Sequence, residues 1–402
     1  MPPVRQGRSS FPVAKLLLVL FFIFFAGFVF LNSLNNKTDH AGSLESGQNS
    51  KAKAISAGYE HSLILLDNGD AYSFGSGDYG RLGQGDTRDN NVPTKVNGLS
   101  SCTGISAGAF HSLVLDSNGN VYSFGRGEYH SLGHSDNRDH LTPAIIDSLD
   151  NIIMVSAGSR HSLVLSEDGS VISFGSGLNG QLGHGNTSDV KTPKEITMQS
   201  AIKKTEAASR SSLILSENGD VYSFGNGEYG RLGLGDEEDR WVPYRILDLQ
   251  EVKDIAAQSW HSLILLENGD VYSFGNGEHG RLGHGDQRHR LKPEKINGLS
   301  SAKAVSVGWE YSLVLSENGD VYSFGRNDYG QLGHGDNQDR PIPTRIEGLP
   351  KIIDISAGWR HSLLLCENGN VYSFGQGENG RLGHGDSKDQ LVPTLIAEFR
   401  RK

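Results

Sequence analysis

The chain has 402 residues, a formal net charge of −10, 52 glycines and two cysteines. The first 50 residues carry four basic and two acidic side chains, which leaves −12 on the remainder. So acidic a remainder lacks the basic surface that binds a phosphate backbone, which argues against nucleic acid as a partner. Two cysteines at unrelated places, Cys102 and Cys366, do not make a disulfide framework.

The N-terminal part begins with a basic tail, residues 1–15, and continues into an apolar run. No charged residue occurs from Leu16 until Lys37. A run of this kind approaches the roughly 20 residues that span a bilayer, so we predict a transmembrane signal anchor over residues 16–34. Three basic residues precede it and only Lys37 follows closely. The positive-inside rule then predicts a cytosolic N-terminus and a lumenal or extracellular remainder in the secretory pathway.

Two alternatives compete for this segment. A cleaved signal peptide has a shorter apolar stretch and a small-residue cleavage site, and no such site follows Leu31. A mitochondrial presequence is free of acids and contains Arg and Ser, which the first residues also satisfy. Mitochondrial location is therefore the alternative. Residues 35–50 are polar and predict a flexible tether.

The rest of the chain, residues 51–402, repeats itself seven times with a period of 50 residues. One position in every copy is phenylalanine, from Phe74 to Phe374. Such a period indicates a propeller or a solenoid. The copies are 51–100, 101–150, 151–200, 201–250, 251–300, 301–350 and 351–400.

Each copy predicts four short antiparallel strands. In the first copy they are Ala54–Ala57, His61–Leu66, Ala71–Phe74 and a last strand, Thr94–Val96, opened by Pro93. The Asn68-Gly69 pair between the second and third strands is a strong hairpin signal, because both residues of that turn need positive φ. Units this small bury their faces only against one another. The expected fold is all-β, a seven-bladed β-propeller.

Successive strands reverse direction, so the first and third connections of every copy share one face. That face carries tryptophans and arginines, which are typical of protein interfaces. The interaction candidates are Trp260, Trp309, Trp359, Arg360, Arg210 and Arg160. The opposite face carries twelve acids in its hairpin turns, from Asp67 to Glu367. A soluble rim is favoured there over a site for a basic partner.

Several patterns resemble nucleotide or metal sites but are better explained by structural roles in the repeat. Five copies contain Gly-x-Gly-x-x-Gly, as at Gly75, but no helix follows to bind a pyrophosphate. Ten histidines occupy two repeat positions, too far apart on neighbouring blades to share zinc. Asp86 and Asp89 lack the dense ligand set of a calcium loop and suit loop-capping hydrogen bonds. We predict no catalytic residue, cofactor or metal. Asn186 heads a glycosylation sequon, as does Asn36.

Two elements carry a resemblance to a known family. One is the segment Ile55–Leu65 (ISAGYEHSLIL), and the other is Gly80–Asp86 (GRLGQGD) before Pro93. Repeated at this period from Lys51 to the C-terminus, they resemble the regulator of chromosome condensation repeat. The resemblance implies a seven-bladed propeller. That family includes a nuclear exchange factor for the Ran GTPase, the plant UV-B photoreceptor, and domains that bind proteins or regulate GTPases and ubiquitin ligases.

Both named relatives differ from this chain. The exchange factor acts through an insertion in one blade, whereas all copies here have equal length. The photoreceptor uses Gly-Trp-Arg-His motifs on consecutive blades. The seventh copy has the full motif ending at His361, and the sixth has a partial one, Trp309-Glu310-Tyr311. In the fifth copy Ser259 occupies the tryptophan position and Trp260 follows it.

The sequence therefore predicts a membrane-anchored, non-catalytic protein-interaction module rather than an enzyme. The alternative is a guanine-nucleotide exchange factor or other regulator of a small GTPase. Photoreception is the third reading. The partner is a protein, and the sequence does not identify it.

Overall fold

The structure, a computed structural model, describes residues 50–399. Within that range no helix is long and apolar enough to cross a membrane. The predicted basic tail (1–15), the transmembrane anchor (16–34) and nearly all of the tether (35–50) lie outside the described residues, and so does the chain beyond 399. These assignments stay predictions.

The described residues form seven sheets of four consecutive antiparallel strands, one sheet from each copy of the repeat. This confirms the predicted all-β, seven-bladed propeller. Numbered in chain order, the strands of the seven blades are Ala52–Ala57 (β1), His61–Leu66 (β2), Ala71–Gly75 (β3), Asn90–Lys95 (β4); Cys102–Ala107 (β5), His111–Asp116 (β6), Val121–Gly125 (β7), His140–Ile145 (β8); Ile152–Ala157 (β9), His161–Ser166 (β10), Val171–Gly175 (β11), Val190–Glu195 (β12); Ile202–Ala207 (β13), Ser211–Ser216 (β14), Val221–Gly225 (β15), Arg240–Arg245 (β16); Val252–Ala257 (β17), His261–Leu266 (β18), Val271–Gly275 (β19), Arg290–Lys295 (β20); Ala302–Val307 (β21), Tyr311–Ser316 (β22), Val321–Gly325 (β23), Arg340–Arg345 (β24); Ile352–Ala357 (β25), His361–Cys366 (β26), Val371–Gly375 (β27) and Gln390–Leu395 (β28).

Short 3₁₀ turns are the other regular elements within residues 50–399. Five of them lie in the long loops between third and fourth strands, and one follows β28. They are Asp78–Gly80, Glu128–His130, Glu228–Gly230, Glu278–Gly280, Glu378–Gly380 and Ala397–Phe399.

The hydrophobic core lies between blades. The repeated phenylalanines are fully buried, and Phe74 of blade 1 packs with Leu363 and Leu365 of blade 7. Each blade thus covers the face of its neighbour, as expected for units too small to bury their own faces. The hairpin at Asn68-Gly69 also forms, but its turn differs from the predicted one, because only Gly69 has positive φ, at 83°. The Gly69 N–H donates to the Leu66 carbonyl at 3.0 Å, so the turn begins at Leu66 and Asn68 does not need positive φ.

The fourth strand differs from the prediction. It runs from Asn90 to Lys95, and Pro93 lies inside it rather than at its start. The strand is the outermost of its sheet. A proline is tolerated there because the missing N–H has no second neighbour to bind. The first strand is also longer than predicted, beginning at Ala52 with a bulge before Ala54.

The ring closes without exchange of strands, since blade 7 is built entirely from β25–β28. Its contacts to blade 1 repeat those between other blades. The backbone N–H of Trp359 donates to the Gly58 carbonyl at 3.1 Å. Phe399 adds a contact of its own, being 3% exposed and packed edge-on to Tyr72 with ring centroids 5.7 Å apart.

The first strands of the blades line a central channel, where a cavity of about 360 Å³ lies. Its charged groups come from blades 4, 5 and 7. Lys204 contacts the carboxylates of Asp254 and Glu206 at 2.5 and 3.0 Å. Burial raises the pKa of Asp354 to about 6.

Cys102 and Cys366 are free and buried, as expected from their different repeat positions. Burial raises the pKa of each thiol to about 11. Both cysteines are therefore protonated core residues at neutral pH.

Candidate functional site

One face of the propeller, here called the corner face, is formed by the corners between first and second strands and by the long loops between third and fourth strands. In blade 1 these are residues 58–60 and 76–89. In five blades a glycine N–H closes the corner, and that of Gly58 donates to the His61 carbonyl at 2.9 Å; Ala208 and Gln258 take this place in blades 4 and 5. In the five glycine corners the backbone N–H of the next residue reaches the following blade, as from Tyr59 to the Gly108 carbonyl at 3.2 Å. This bonding fixes the corners relative to one another.

Five aromatic side chains of the corners meet on this face, and we call them the aromatic cluster: Tyr59, Phe110, Trp260, Trp309 and Trp359. The ring centroids of Trp309 lie 5.9 Å from those of Trp260 and Trp359 and 5.4 Å from that of Tyr59. Tyr59 in turn stacks on Trp359 at 5.9 Å and lies 6.3 Å from Phe110. The structure thus brings the three candidate tryptophans together.

Tyr59 holds the cluster together from blade 1, and the sequence analysis did not single it out. It is buried, and its hydroxyl faces Ser159, Ser209 and Ser259 across the ring, where burial raises its pKa. A signal was present in the sequence, because Tyr59 occupies the same repeat position as Trp309 and Trp359.

The three candidate arginines border the aromatic cluster in two different ways. Arg360 lies over the rings of Trp359 and Tyr329 at 4.3 and 4.8 Å, and its Nη1 donates to the Tyr329 hydroxyl at 3.1 Å. Arg160 and Arg210 lie on the other side, where they line a pocket with Tyr59 and Trp309. None of the three forms an ion pair with a carboxylate among residues 50–399.

The acids at the corners, in contrast, are paired with buried arginines. Glu60 accepts from the buried Arg81 at 3.0 Å and lies 3.9 Å from the buried Arg381. Glu310 contacts the buried Arg281 at 3.3 Å and Arg326 at 2.5 Å. The corners of this acidic protein therefore present free positive charge and paired negative charge.

The first ring of histidines is structural. His61, His111, His161, His261 and His361 are fully buried. Each bonds through Nε2 to a serine of the next blade, as His161 does to Ser212 at 2.9 Å. Since the serine hydroxyl donates to a loop carbonyl, here that of Gln181 at 2.8 Å, the histidine is the donor. Burial lowers the pKa of all five, to about 4 for His111 and about 3 for His161.

The other suggestive patterns also have structural partners. The second histidines bond to serines of their own blade, as His184 does to Ser173 at 2.9 Å. Asp86 accepts from the Arg88 N–H and Asp89 from the Gly77 N–H, both at 3.0 Å. These are the predicted loop-capping bonds. Among residues 50–399 no three His, Cys, Asp or Glu side chains are grouped to hold a metal ion.

The acidic turns of the opposite face are partly neutralised by the outer strands. In four blades the acid after the Asn-Gly pair contacts a base at the end of the fourth strand. These contacts join Asp70 to Lys95 at 2.8 Å, Asp220 to Arg245 at 2.5 Å, Asp270 to Lys295 at 2.7 Å and Asp320 to Arg345 at 2.9 Å. This pairing favours the soluble-rim interpretation.

Asn186 lies exposed in the long loop of blade 3. Its side-chain oxygen accepts from the Ser188 N–H at 2.9 Å, taking the place of the aspartate that caps this loop in the other blades. Its use as a glycosylation site stays a prediction.

Comparison with known proteins identifies the repeat. The family described as the RCC1-like domain matches residues 193–402, about half of the chain. The regulator of chromosome condensation (RCC1) repeat matches residues 68–115, 118–165 and 168–215, and a second description of that repeat matches 52–81, 102–131 and 152–181.

Among curated proteins, the E3 ubiquitin-protein ligase MYCBP2 of Danio rerio is 45% identical over 49 residues, which are 12% of this chain and 1% of that protein. The chain thus spans a very small part of that relative.

Solved structures share the fold over most of the chain. Human WBSCR16 has a TM-score of 0.74 at 22% identity, covering 82% of this chain and 94% of that one. Yeast RCC1 (Prp20) bound to Kap60 has 0.73 at 23%, covering 91% of each. Prp20p of Saccharomyces cerevisiae, described with its binding to Gsp1p and histones, has 0.72 at 25%, covering 86% and 87%. With the repeat matches between residues 52 and 215 and the RCC1-like domain match over residues 193–402, this chain belongs to the regulator of chromosome condensation (RCC1) repeat family.

Proposed function

We propose that the propeller recognises a protein partner through its corner face and that this partner is a small GTPase. The aromatic cluster carries the proposal. Buried centres of interfaces are enriched in tryptophan, tyrosine and arginine. Here five aromatic rings from five blades meet beside arginines that have no carboxylate partner within residues 50–399.

The choice of a GTPase rests on relatives. The resemblance includes an exchange factor for the Ran GTPase, and Prp20p was described with its binding to Gsp1p. In this chain no copy carries an insertion. Contacts to the GTPase would therefore come from the corners themselves rather than from a projecting element.

The first test is binding of the full-length protein to a panel of small GTPases, each nucleotide-free, GDP-loaded and GTP-loaded, followed by release of a fluorescent GDP analogue. Trp309→Ala should weaken binding about tenfold or more, since central aromatic anchors dominate interface energies. Tyr244→Ala is the control, because it removes an aromatic that is 48% exposed on the outer strand β16. Equal binding by both variants would overturn the corner face as the binding site.

A non-GTPase protein partner is the other outcome. If no GTPase binds, while a partner isolated by cross-linking in cells loses affinity on Trp309→Ala, the face is confirmed as an interaction site and the GTPase is rejected.

Anchoring of the propeller to a membrane through residues 16–34 is a separate proposal, supported by the length of that apolar run. A cytosolic N-terminus would place the propeller across the membrane from cytosolic GTPases. Protease treatment of intact membranes, with a C-terminal tag and a glycosidase shift at Asn186, measures the orientation. Protection would exclude cytosolic GTPases as partners, and digestion would keep them.

Photoreception is a second candidate, because Trp260, Trp309 and Trp359 are in contact despite the incomplete motif in blade 5. Size-exclusion chromatography before and after UV-B irradiation tests it. An unchanged elution volume would reject it.

A further inference from the structure

Blade 3 differs from all other blades on the corner face. At one position of the long loop the other six blades carry an acid, namely Asp78, Glu128, Glu228, Glu278, Asp328 and Glu378. Blade 3 has Leu178 instead, with 66% of its surface exposed. The loop between Gly175 and Asp189 contains no acid. The acidic rim of the face is therefore interrupted at this blade.

Blade 3 also lacks the buried arginine that follows the loop acid in four other blades. In four blades the loop acid lies near a buried arginine three residues later, as Glu228 does near Arg231 at 3.3 Å. Blade 3 has the neutral Gln181 at that position, where its side chain accepts from the Asn179 N–H at 2.8 Å. Both members of the ion pair are thus absent together, and no buried charge is left unpaired. The loop is stable without an acid, so Leu178 is free to face solvent.

An open pocket of about 350 Å³ lies at this interruption. Three rings of the aromatic cluster, those of Tyr59, Phe110 and Trp309, line it together with Leu178. Arg160 and Arg210 border it, both exposed. Arg160 lies over the Tyr129 ring at 4.7 Å, a contact that leaves its N–H groups available.

The two charged side chains that line the pocket, Arg160 and Arg210, are both basic. Neither has a carboxylate partner among residues 50–399, whereas the nearby buried Arg231 is paired with Glu228 at 3.3 Å. On a protein with a net charge of −10, two guanidinium groups beside three aromatic rings and an exposed leucine favour a ligand that carries both an anionic group and an apolar side chain. Arginine binds carboxylates through paired hydrogen bonds.

We propose that this blade 3–4 pocket binds an acidic peptide segment of the protein partner, with an aromatic or branched apolar side chain of the segment between the aromatic rings and Leu178, and with flanking carboxylates on Arg160 and Arg210. The proposal rests on the proposed function, since it names the part of the partner that the corner face recognises. It adds a chemical requirement that the aromatic cluster alone does not impose.

The test uses the full-length protein and a fluorescent hexapeptide with glutamates on both sides of a phenylalanine. Fluorescence anisotropy should show saturable binding that weakens about tenfold between low and 0.3 M salt, because exposed charge pairs are screened. Two further peptides, one with lysines in place of the glutamates and one with glycine in place of phenylalanine, should bind at least about tenfold more weakly.

The decisive variant is Leu178→Glu, which restores the acid that four blades carry as glutamate at this position and is therefore compatible with the loop. It should weaken binding of the acidic peptide about tenfold or more. Arg210→Glu should do the same. Arg138→Glu is the matched control, because Arg138 is an exposed arginine of the blade 2 loop and is not among the residues that line the pocket.

The outcomes separate this proposal from the proposed function. Peptide affinity unchanged in Leu178→Glu and Arg210→Glu, or equal binding of inorganic phosphate and the peptide, would overturn the pocket proposal. If the protein partner still requires Trp309 in either case, the proposed function survives. If partner binding is insensitive to Trp309 while the peptide still requires Arg210, the pocket stands and the corner face loses its role in that complex.

Discussion

The second residue of the corner shows how one repeat position produces different chemistry around the ring. Tyr59, Trp309 and Trp359 fill it with aromatic rings that contact one another. Ser159, Ser209 and Ser259 leave it small, facing the Tyr59 hydroxyl. This position therefore supplies three of the five rings of the aromatic cluster, and Phe110 and Trp260 come from the next position.

The ion pairs of the buried arginines also depend on single residues. Arg281 is only 1% exposed, and it contacts Glu310 at 3.3 Å and the more exposed Glu278 at 3.7 Å. We expect Glu310→Gln to lower the free energy of unfolding by about 2–4 kcal/mol, because a buried guanidinium then loses its less solvated partner. Urea denaturation of the full-length protein measures this.

Glu317→Gln is the control for that substitution. Its carboxylate is 57% exposed and contacts Lys253 at 3.4 Å, so its loss should change stability by less than about 0.5 kcal/mol. Equal effects of the two variants would contradict the role assigned to Glu310.

At the level of elements, the long glycine-rich loops explain a pattern that imitates a nucleotide-binding motif. Gly75 adopts φ 111°, and Gly77 lies against the backbone of Arg88, in the same loop just before the fourth strand. The Gly77 N–H donates to Asp89. These glycines serve close backbone packing within the loop, and only the short 3₁₀ turn Asp78–Gly80 follows them, not an α-helix.

Two glycines of blade 1 are required for different reasons, one for its backbone conformation and the other for lack of space. Gly77 has an ordinary φ of −91°, but a Cβ there would lie 2.0 Å from the Arg88 carbonyl oxygen. Gly98 has φ 82°, with no atom within 4 Å of its Cβ position. Gly98→Ala should cost about 1 kcal/mol. Gly77→Ala should cost more than about 3 kcal/mol, because the backbone must move.

Thermal unfolding of the two alanine variants compares these costs. A Gly77→Ala protein as stable as Gly98→Ala would show that the loop relaxes freely, and the close approach would then not explain the glycine.

For the whole molecule, the buried histidines link the blades and make the ring sensitive to acid. In the unfolded chain histidine has a pKa near 6.5, whereas burial holds the folded-state pKa well below that value. Below pH 6.5 the unfolded chain therefore binds protons that the folded propeller does not bind. Stability falls as the pH decreases, until the folded pKa values of about 3–4 are reached.

We expect each buried histidine to contribute a slope of about 1.4 kcal/mol per pH unit in that window. Asp354 opposes the effect between pH 6 and 4, since its folded pKa of about 6 lies above the ordinary value. Urea denaturation at several pH values between 7.5 and 4.5 measures the slope. A profile that is flat from pH 7 to pH 5 would contradict neutral, buried histidines.

Much of this protein could be predicted from the sequence, because its information is local and repeated. The seven units, the second and third strands and the position of the turn between them follow from alternation and turn chemistry within about 15 residues. Each pattern recurs in every copy, with Asp168-Gly169 in place of Asn-Gly in the third. The convergence of Trp260, Trp309 and Trp359 followed from their nearly equal positions in consecutive copies.

The tertiary structure alone decided what depends on distant parts of the chain. It showed that the ring closes by packing blade 7 on blade 1 without exchanging a strand, and that Tyr59 reaches Trp309 across 250 positions of sequence. It also brought Leu178, Arg160 and Arg210 together around one pocket. Repetition determines the blade, because a blade is held by neighbouring strands. The curvature that closes the ring determines which blades' side chains meet, and no local pattern encodes that distance.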